Sequence, residues 1–204
     1  MVVVKDEGPW WRPGWSLLAG RARLISGIVL SAFVIGHLLN HSLGLISVSA
    51  MQMGAEILGP IWGSFVGQTL LVGAMTVHGI LAFKAILGRR GLRMRVRDAI
   101  QIVTGLAIPL LLASHIVANW GAPNCCGTRT DYLLNLHLIW PGVAIKQSVL
   151  VVVVWVHLCL GLHGWLGLKP WYERWRSFLL LLAVLIPTLS LLGFVAGGRE
   201  VARL

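Results

Sequence analysis

Apolar residues along this chain are concentrated in five long runs that are separated by shorter, more polar segments. The runs lie at about residues 24–46, 65–87, 99–119, 143–168 and 177–197. An α-helix rises about 1.5 Å per residue, so about 20 apolar residues are enough to cross the hydrocarbon core of a bilayer. The pattern therefore predicts an all-α membrane protein, in which residues 1–204 form a single domain of five transmembrane helices.

Composition agrees with this interpretation. Apolar residues make up 57% of the chain and charged residues 12%, which lies outside the usual range for soluble domains. The protein is therefore predicted to be a multi-pass membrane protein whose immediate surroundings are lipid.

Basic residues alternate between the two ends of the predicted helices. Of the 17 Lys and Arg residues, 13 lie in the N-terminal segment, the second loop and the fourth loop. The first loop has none, and the third has Arg129 and Lys146. Cytoplasmic loops of membrane proteins are enriched in Lys and Arg, so the N-terminus is predicted to be cytoplasmic. This topology accounts for the net charge of +10, and we expect no nucleic-acid partner.

Two segments on the predicted outer side differ from simple connections. Residues 46–62 are moderately apolar but are interrupted by Glu56, Gly59 and Pro60, and we interpret them as an amphipathic segment on the outer surface. Residues 120–142 are predicted to be a long outer loop, a length that is typical of functional loops and lids. This loop contains Cys125 and Cys126, for which pairing with each other, with another chain or with a metal all stay open.

Six of the seven histidines lie inside the apolar runs. They occur on the first four predicted helices, and the fifth helix has none. Ionisable side chains at membrane depth usually face the interior of the bundle and mark a functional site. The candidate site residues are therefore His37, His41, His78, His115, His157 and His163.

Counting along each helix from its cytoplasmic end places these histidines at two levels. His78 and His157 lie about 15 and 16 Å from that end, whereas His37, His41 and His115 lie about 22, 28 and 27 Å from it. Two imidazoles that face each other at one level are what a six-coordinate haem iron requires. The pattern predicts two haems, and since the chain lacks the C-x-x-C-H motif of covalent attachment, both are expected to be haem b.

Three other interpretations compete with haem. A zinc or copper site needs three or four converging ligands, often with carboxylate or thiolate, whereas depth separates these histidines into pairs. A proton relay needs Asp or Glu within the helices, and all seven acidic residues are expected in tails or loops. A structural or transport bundle without a cofactor is the third alternative. We favour haem, because pairing by depth supplies what iron needs.

The stretches that contain these histidines resemble a known family. They are similar to the di-haem cytochrome b membrane anchors of succinate dehydrogenases and fumarate reductases, in "SAFVIGHLLNHSLGL", "MTVHGILAFKAI", "LLLASHIVANW" and "WVHLCLGLHGWLGLKPWY". The resemblance covers nearly the whole chain and implies five helices, of which four core helices each give one ligand. It implies that His37 and His115 hold the outer haem iron and that His78 and His157 hold the inner one.

A closer similarity is to the N-terminal membrane domain of certain bacterial class III adenylate cyclases. It lies in "HLLNHSLGL", "LHGWLGLKPWY" and "LLGFVAGGREV", and it includes the second histidines, His41 and His163. This resemblance implies a redox sensor in the bacterial inner membrane that exchanges electrons with quinone and regulates a fused or associated cyclase domain. The chain holds no catalytic domain, so in this interpretation it is a piece of a longer cyclase.

The remaining expectations concern quinone, the two second histidines and the partners. Binding of a haem propionate, contact with quinone and ligation of the iron all stay open for His41, and a propionate or a quinone carbonyl for His163. Quinone is expected near the inner haem, beside Arg23, Ser26 and His163, because similar Arg and Ser residues flank quinone in relatives. The alternative function is the cytochrome b anchor subunit of a succinate dehydrogenase or fumarate reductase, and a homodimer is a further alternative.

Overall fold

The computed structural model describes residues 13–89, 94–127 and 131–204. All regular structure in these ranges is helical. The α-helices are α1 (Pro13–Ser42), α2 (Val48–Trp62), α3 (Phe65–Leu87), α4 (Val96–Ile116), α5 (Ala122–Cys126), α6 (Tyr132–Ile139), α7 (Ala144–Leu166) and α8 (Tyr172–Val201). A 3₁₀ turn (Leu43–Leu45) follows α1, and a π-helical turn (Val117–Gly121) follows α4.

Five of these helices are long and apolar enough to cross a membrane, namely α1, α3, α4, α7 and α8. The prediction of an all-α chain with five such helices is therefore confirmed. α1 begins at Pro13 rather than near residue 24, and α8 extends from Tyr172 to Val201 rather than over 177–197. The apolar run marks only the part of a helix that fits hydrocarbon, whereas the Trp- and Arg-containing turns beside it continue the helix.

Two expectations about the segments between the runs need correction. Residues 120–127 and 131–142 are mostly helical rather than a loop. Asp131 caps α6 by accepting a hydrogen bond from the backbone N–H of Leu134 at 2.7 Å. Acidic residues also occur within helices rather than only in tails and loops. Asp98 and Glu173 lie in the first turns of α4 and α8, where a carboxylate is favoured by the helix dipole.

The long helices associate as two pairs, with α8 packed alongside as a fifth helix. α1 packs against α3, α4 packs against α7, and α8 packs mainly against α1 with a smaller contact to α7. Trp155 of α7 is part of the buried core beside α1 and donates a hydrogen bond from Nε1 to the carbonyl oxygen of Ala183 in α8 at 2.7 Å. The pairs α1–α3 and α4–α7 therefore form the frame in which the histidines lie.

The two ends of the bundle have different compositions. We call the end that carries α2 and α6 the capped end, and its core is a cluster of Val48, Met51, Leu136, Ala144, Phe194 and Val201. We call the opposite end the basic end. The described cations there are Arg21, Arg23, Lys84, Arg89, Arg95, Arg97, Lys169, Arg174 and Arg176. Arg129, part of the topology argument, lies outside the described residues.

Candidate cofactor site: two layers of histidines

A first layer of two histidines lies in the half of the bundle nearer the basic end. His78 of α3 and His157 of α7 face each other, with ring centres 6.3 Å apart and ring planes at 86°. Both residues are partly exposed. The structure thus brings together the two residues that the sequence paired at the inner level.

The ring of His78 is held by the neighbouring helix α1. Its Nδ1 lies 3.1 Å from the backbone carbonyl oxygen of Arg23 and 3.5 Å from Oγ of Ser26. The Ser26 hydroxyl donates to the carbonyl oxygen of Ala22 at 2.8 Å, so its oxygen can accept from the ring. Donation of Nδ1–H to a carbonyl leaves the Nε2 lone pair available, which is the usual arrangement of a metal-binding histidine.

The ring of His157 is held by α4 in the same way. Its Nδ1 lies 3.0 Å from the carbonyl oxygen of Gln101 and 3.3 Å from Oγ1 of Thr104. The Thr104 hydroxyl donates to the carbonyl oxygen of Ile100 at 2.7 Å. Both rings of this layer therefore have a carbonyl and a hydroxyl at Nδ1, supplied by the helix partner of each pair.

A glycine allows each ring to approach the neighbouring backbone. A Cβ atom built on Gly27 would lie 3.1 Å from Cε1 of His78, and one built on Gly105 would lie 2.8 Å from Cε1 of His157. Each glycine directly follows the hydroxyl residue of its support. A side chain at either position would therefore push the imidazole away from its carbonyl partner.

These supports reveal an internal repeat in the sequence. R-x-x-S-G in α1 corresponds to Q-x-x-T-G in α4, and a histidine follows each glycine after ten residues, His37 in α1 and His115 in α4. α3 and α7 both have 23 residues, and in each the histidine lies 13 residues after the first residue of the helix. The pairs α1–α3 and α4–α7 thus carry their histidines and ring supports at matching positions.

A second layer of histidines lies nearer the capped end. The ring centres of His37 and His115 are 5.9 Å apart, and the ring centres of His37 and His41 are 4.6 Å apart. His37 also stacks on Phe33, with ring centres 5.6 Å apart and ring planes at 11°. Nδ1 of His41 and Nδ1 of His115 are buried and have no hydrogen-bond partner within the described part of the chain.

Polar residues that sequence reasoning did not single out surround this second layer. Nδ2 of the buried Asn40 donates to the carbonyl oxygen of Met51 in α2 at 3.1 Å and to the Tyr132 hydroxyl of α6 at 2.8 Å. Burial raises the pKa of Tyr132, while the hydrogen bond from Asn40 partly offsets this. The ring of Tyr132 lies 5.9 Å from that of His41, so α2 and α6 cover the second layer.

The residues expected near quinone do not form a single cluster. Arg23 and Ser26 lie beside His78, as described, whereas Nδ1 of His163 lies 2.5 Å from the hydroxyl of the buried Tyr172. This contact joins the end of α7 to the start of α8. A groove of about 530 Å³ lies beside the first layer and is lined by Met94, Val96, Ala99, Ile100, Val103 and Thr104.

The cysteines and further metal groups add little to the site. Cys125 and Cys126 are joined to each other by a disulfide, and Cys159 is a free thiol. Within residues 13–89, 94–127 and 131–204, no group of three or more His, Cys, Asp or Glu side chains is placed to hold a metal ion. A haem iron needs only two protein ligands, so the absence of a three-ligand group does not argue against haem.

Comparisons with known proteins identify no relative. No family model matches the chain, and neither a curated protein nor a solved structure matches it. The class that the structure defines is an all-helical protein with five helices able to cross a membrane. Its interior carries two layers of facing histidines, each built from both copies of the repeat.

Proposed function

We propose that this chain is a membrane-embedded di-haem b cytochrome that exchanges electrons with quinone. The observation that carries the proposal is the facing pair in each layer, with each ring of the first pair held at Nδ1. His78 and His157 would bind one haem iron, and His37 and His115 the other. Bound haem supplies reversible one-electron chemistry, and the chain holds the ligands, excludes water and sets the surrounding polarity.

The spacing of the rings supports iron between them. Two metal–imidazole bonds of about 2 Å, with each nitrogen about 1.2 Å from its ring centre, place the ring centres about 6.4 Å apart. The observed separations are 6.3 Å in the first layer and 5.9 Å in the second. The ring-centre separations are therefore close to what two axial imidazoles on one iron need.

Unpartnered nitrogens support a ligand in the second layer. Buried polar atoms in proteins are nearly always hydrogen-bonded, yet Nδ1 of His41 and Nδ1 of His115 have no partner in the described ranges, although the Gln147 side chain lies within hydrogen-bonding reach of the His115 ring. A group with polar edges that lies among these rings would supply one. Propionate of haem and ordered water are both suitable partners.

The repeat favours His37 over His41 as the ligand. His37 and His115 occupy equivalent positions in α1 and α4, whereas the residue equivalent to His41 is Asn119. In the first layer the paired histidines are also repeat equivalents. We therefore propose that His41 lies beside the second-layer haem without binding its iron.

The distance between the two layers supports electron transfer across a membrane. Ten residues of α1 separate Gly27, at the level of His78, from His37, which corresponds to about 15 Å along the helix. This is about half of the hydrocarbon thickness of about 30 Å. An open apolar groove along α4 ends at Thr104, beside His157. It supports access of an apolar quinone to the first layer.

The finer proposal is a redox-sensing membrane domain of a bacterial class III adenylate cyclase in the inner membrane. Its support is the resemblance of "HLLNHSLGL" and "LLGFVAGGREV" to such domains, and the gathering of cations at the basic end, which favours a cytoplasmic N-terminus. The alternative is the anchor of a succinate dehydrogenase or fumarate reductase, in which the basic end would dock an iron–sulfur subunit. Purification of the natural complex separates them, since a cyclase domain or an iron–sulfur subunit would accompany the chain.

The test of the cytochrome is an absorption spectrum of the purified protein with its haem-to-protein ratio. We expect a Soret band and two haems per chain. His78→Ala or His157→Ala should remove about one haem and leave the other, and His41→Ala should leave both. His137→Ala is the matched control, because His137 is exposed on α6. Protein that takes up no haem during expression with ample haem would contradict the proposal.

A further inference from the structure

α2 presents two faces that are easily explained. One face is buried against the bundle and consists of Val48, Met51 and Gly54. Another face is polar and consists of the exposed Ser49 and Glu56 and the half-buried Gln52, whose Oε1 accepts a hydrogen bond from the backbone N–H of Tyr132 in α6 at 3.1 Å. On the polar face, Nε2 of Gln52 donates to Oε1 of Glu56 one turn later at 3.0 Å. A helix on the surface of a soluble protein needs only these two faces, one for the core and one for water.

A third face of α2 is apolar and exposed. It consists of residues four apart, which lie along one side of a helix. These are Met53, Ile57 and Ile61, with exposed fractions of 63%, 69% and 59%. Neither the core nor water accounts for a continuous apolar stripe of this length.

The exposed stripe continues onto a helix that is able to cross a membrane. α2 ends at Trp62, and α3 begins three residues later with Phe65 and Val66, which are 85% and 74% exposed. α3 is one of the five helices long and apolar enough to span a bilayer. The apolar surface of α2 is therefore continuous with a surface that is suited to lipid, and lipid hydrocarbon is its natural occupant.

The buried side of α2 contacts the second histidine layer at two points. Near its middle, the Met51 carbonyl accepts a hydrogen bond from Asn40, and a side chain on Gly54 would collide with the Asn40 amide. At its end, Trp62 packs edge-on against Phe33, with ring centres 5.5 Å apart. Phe33 in turn stacks on His37. The position of α2 therefore bears on residues beside both His37 and His41.

We propose that α2 is an interfacial helix whose Met53–Ile57–Ile61 stripe inserts into lipid acyl chains, so that lipid holds the cover over the second histidine layer. An interfacial helix lies at the boundary between headgroups and acyl chains, with its polar side towards water. The polar face of Ser49, Gln52 and Glu56 meets that requirement. This inference does not depend on the identity of the group that the histidines bind.

Spin-label accessibility tests the insertion directly. Single cysteines at Met53, Ile57, Ser49 and Glu56 are introduced in a Cys159→Ser background, since Cys125 and Cys126 are joined as a disulfide. The labelled full chain is placed in phosphatidylcholine nanodiscs. Labels at Met53 and Ile57 should be relaxed more by oxygen than by a water-soluble nickel chelate, and labels at Ser49 and Glu56 should show the reverse.

Two outcomes would overturn the insertion. Equal access of the nickel chelate to the Ile57 and Glu56 labels would place both faces in water. Dipolar broadening at Ile57 that disappears on dilution with unlabelled chain would show that a second copy, rather than lipid, covers the stripe.

Histidine modification tests the effect of α2 on the layer beneath it. Ile57→Glu should draw α2 out of the acyl region and expose the Nδ1 side of His41 to diethyl pyrocarbonate. The modification of His41, read by mass spectrometry, should therefore be faster than in the parent chain, with the exposed His137 as the internal reference. Glu56→Gln is the matched control and should leave the rate unchanged. An unaltered rate in Ile57→Glu would contradict the role of lipid in holding the cover.

Discussion

Single side chains distinguish the two histidine layers. In the first layer, each Nδ1 has a carbonyl oxygen within 3.1 Å. In the second layer, the repeat is broken four residues after the paired histidines, where α1 has His41 and the π-helical turn after α4 has Asn119. Asn119 donates to the carbonyl oxygen of His115 at 2.9 Å and accepts from Asn135 of α6 at 3.1 Å. The layers thus offer a bound group two different polar environments.

Glycine at position 105 is expected to be essential for the first layer. Gly105→Ala forces the His157 ring to move, because the new Cβ would lie 2.8 Å from Cε1. We expect a loss of about 1–3 kcal/mol in the free energy of unfolding, the usual cost of overpacking, together with weaker haem retention. Gly27→Ala should act in the same direction but less strongly, since its closest contact is 3.1 Å.

The control for these variants is Gly20→Ala. A Cβ on Gly20 meets nothing within 4 Å, so alanine there should be neutral or stabilising by about 0.5–1 kcal/mol through its helix propensity. Denaturant titration and the haem-to-protein ratio measure both effects. Equal behaviour of Gly105→Ala and Gly20→Ala would show that the ring tolerates displacement.

The hydroxyl of Thr104 is expected to tune the electron donation of His157. Thr104→Val keeps the shape of the side chain but removes the oxygen that lies 3.3 Å from Nδ1. The imidazole then loses an acceptor and becomes a weaker donor to a bound metal, so under the proposed function the midpoint potential of a haem held by this layer should rise. Redox titration measures this, and Thr188→Val, whose hydroxyl bonds only within its own helix, is the control.

At the scale of elements, α6 depends on the contact between Tyr132 and Asn40. Tyr132→Phe removes the acceptor of the 2.8 Å hydrogen bond and leaves a buried amide N–H without this partner. The expected loss is about 1–3 kcal/mol in the free energy of unfolding. Denaturant titration in detergent checks it, and Tyr132→Phe should leave helix content unchanged if the effect is local.

Tyr132 also makes the stability of the protein depend on pH. Burial raises the folded-state pKa of Tyr132 above its ordinary value of 10.0, so the unfolded chain loses this proton at a lower pH than the folded chain. Stability should therefore fall as the pH rises from about 10 through the folded-state pKa, and it should be independent of this group below that range. Tyr132→Phe should lack this dependence, and unfolding at several alkaline pH values tests the difference.

Helices were easier to predict from the sequence than their ends and connections. Hydrophobic runs identify the five long helices because hydrocarbon needs about 20 apolar residues. The limits of α2 and α3 depend instead on Ser47 and Ser64, whose hydroxyls accept from backbone N–H groups at 3.1 and 3.0 Å. α6 was missed because a helix of eight residues carries too little periodicity to be distinguished from a loop.

The histidines of the site could be predicted, but most of their surroundings could not. Imidazoles in apolar runs are conspicuous, whereas Gln101, Thr104 and Asn40 are ordinary residue types whose role depends on the neighbouring helix. One signal was present in the sequence and was not used. The matching spacing of R-x-x-S-G and Q-x-x-T-G to a following histidine would have placed both supports and favoured His37 over His41.

At the scale of the whole molecule, the uneven distribution of cations predicts its orientation. We expect the basic end to be cytoplasmic and the capped end to face outward. In intact spheroplasts, a membrane-impermeant maleimide should label a cysteine placed at Ser49, near the start of α2, and should not label one placed at Gly88, the residue after α3. Labelling of Gly88→Cys alone would reverse the orientation.

The internal repeat has a consequence for how the molecule could be divided. Each layer takes one histidine from α1–α3 and its equivalent from α4–α7, so a half-chain cut between α3 and α4 carries one imidazole for each layer and completes neither. Reunion of the two halves would restore both. Two copies of one half would also supply two matching imidazoles to each layer, so a half-chain that self-associated in the geometry of the whole molecule would complete both layers.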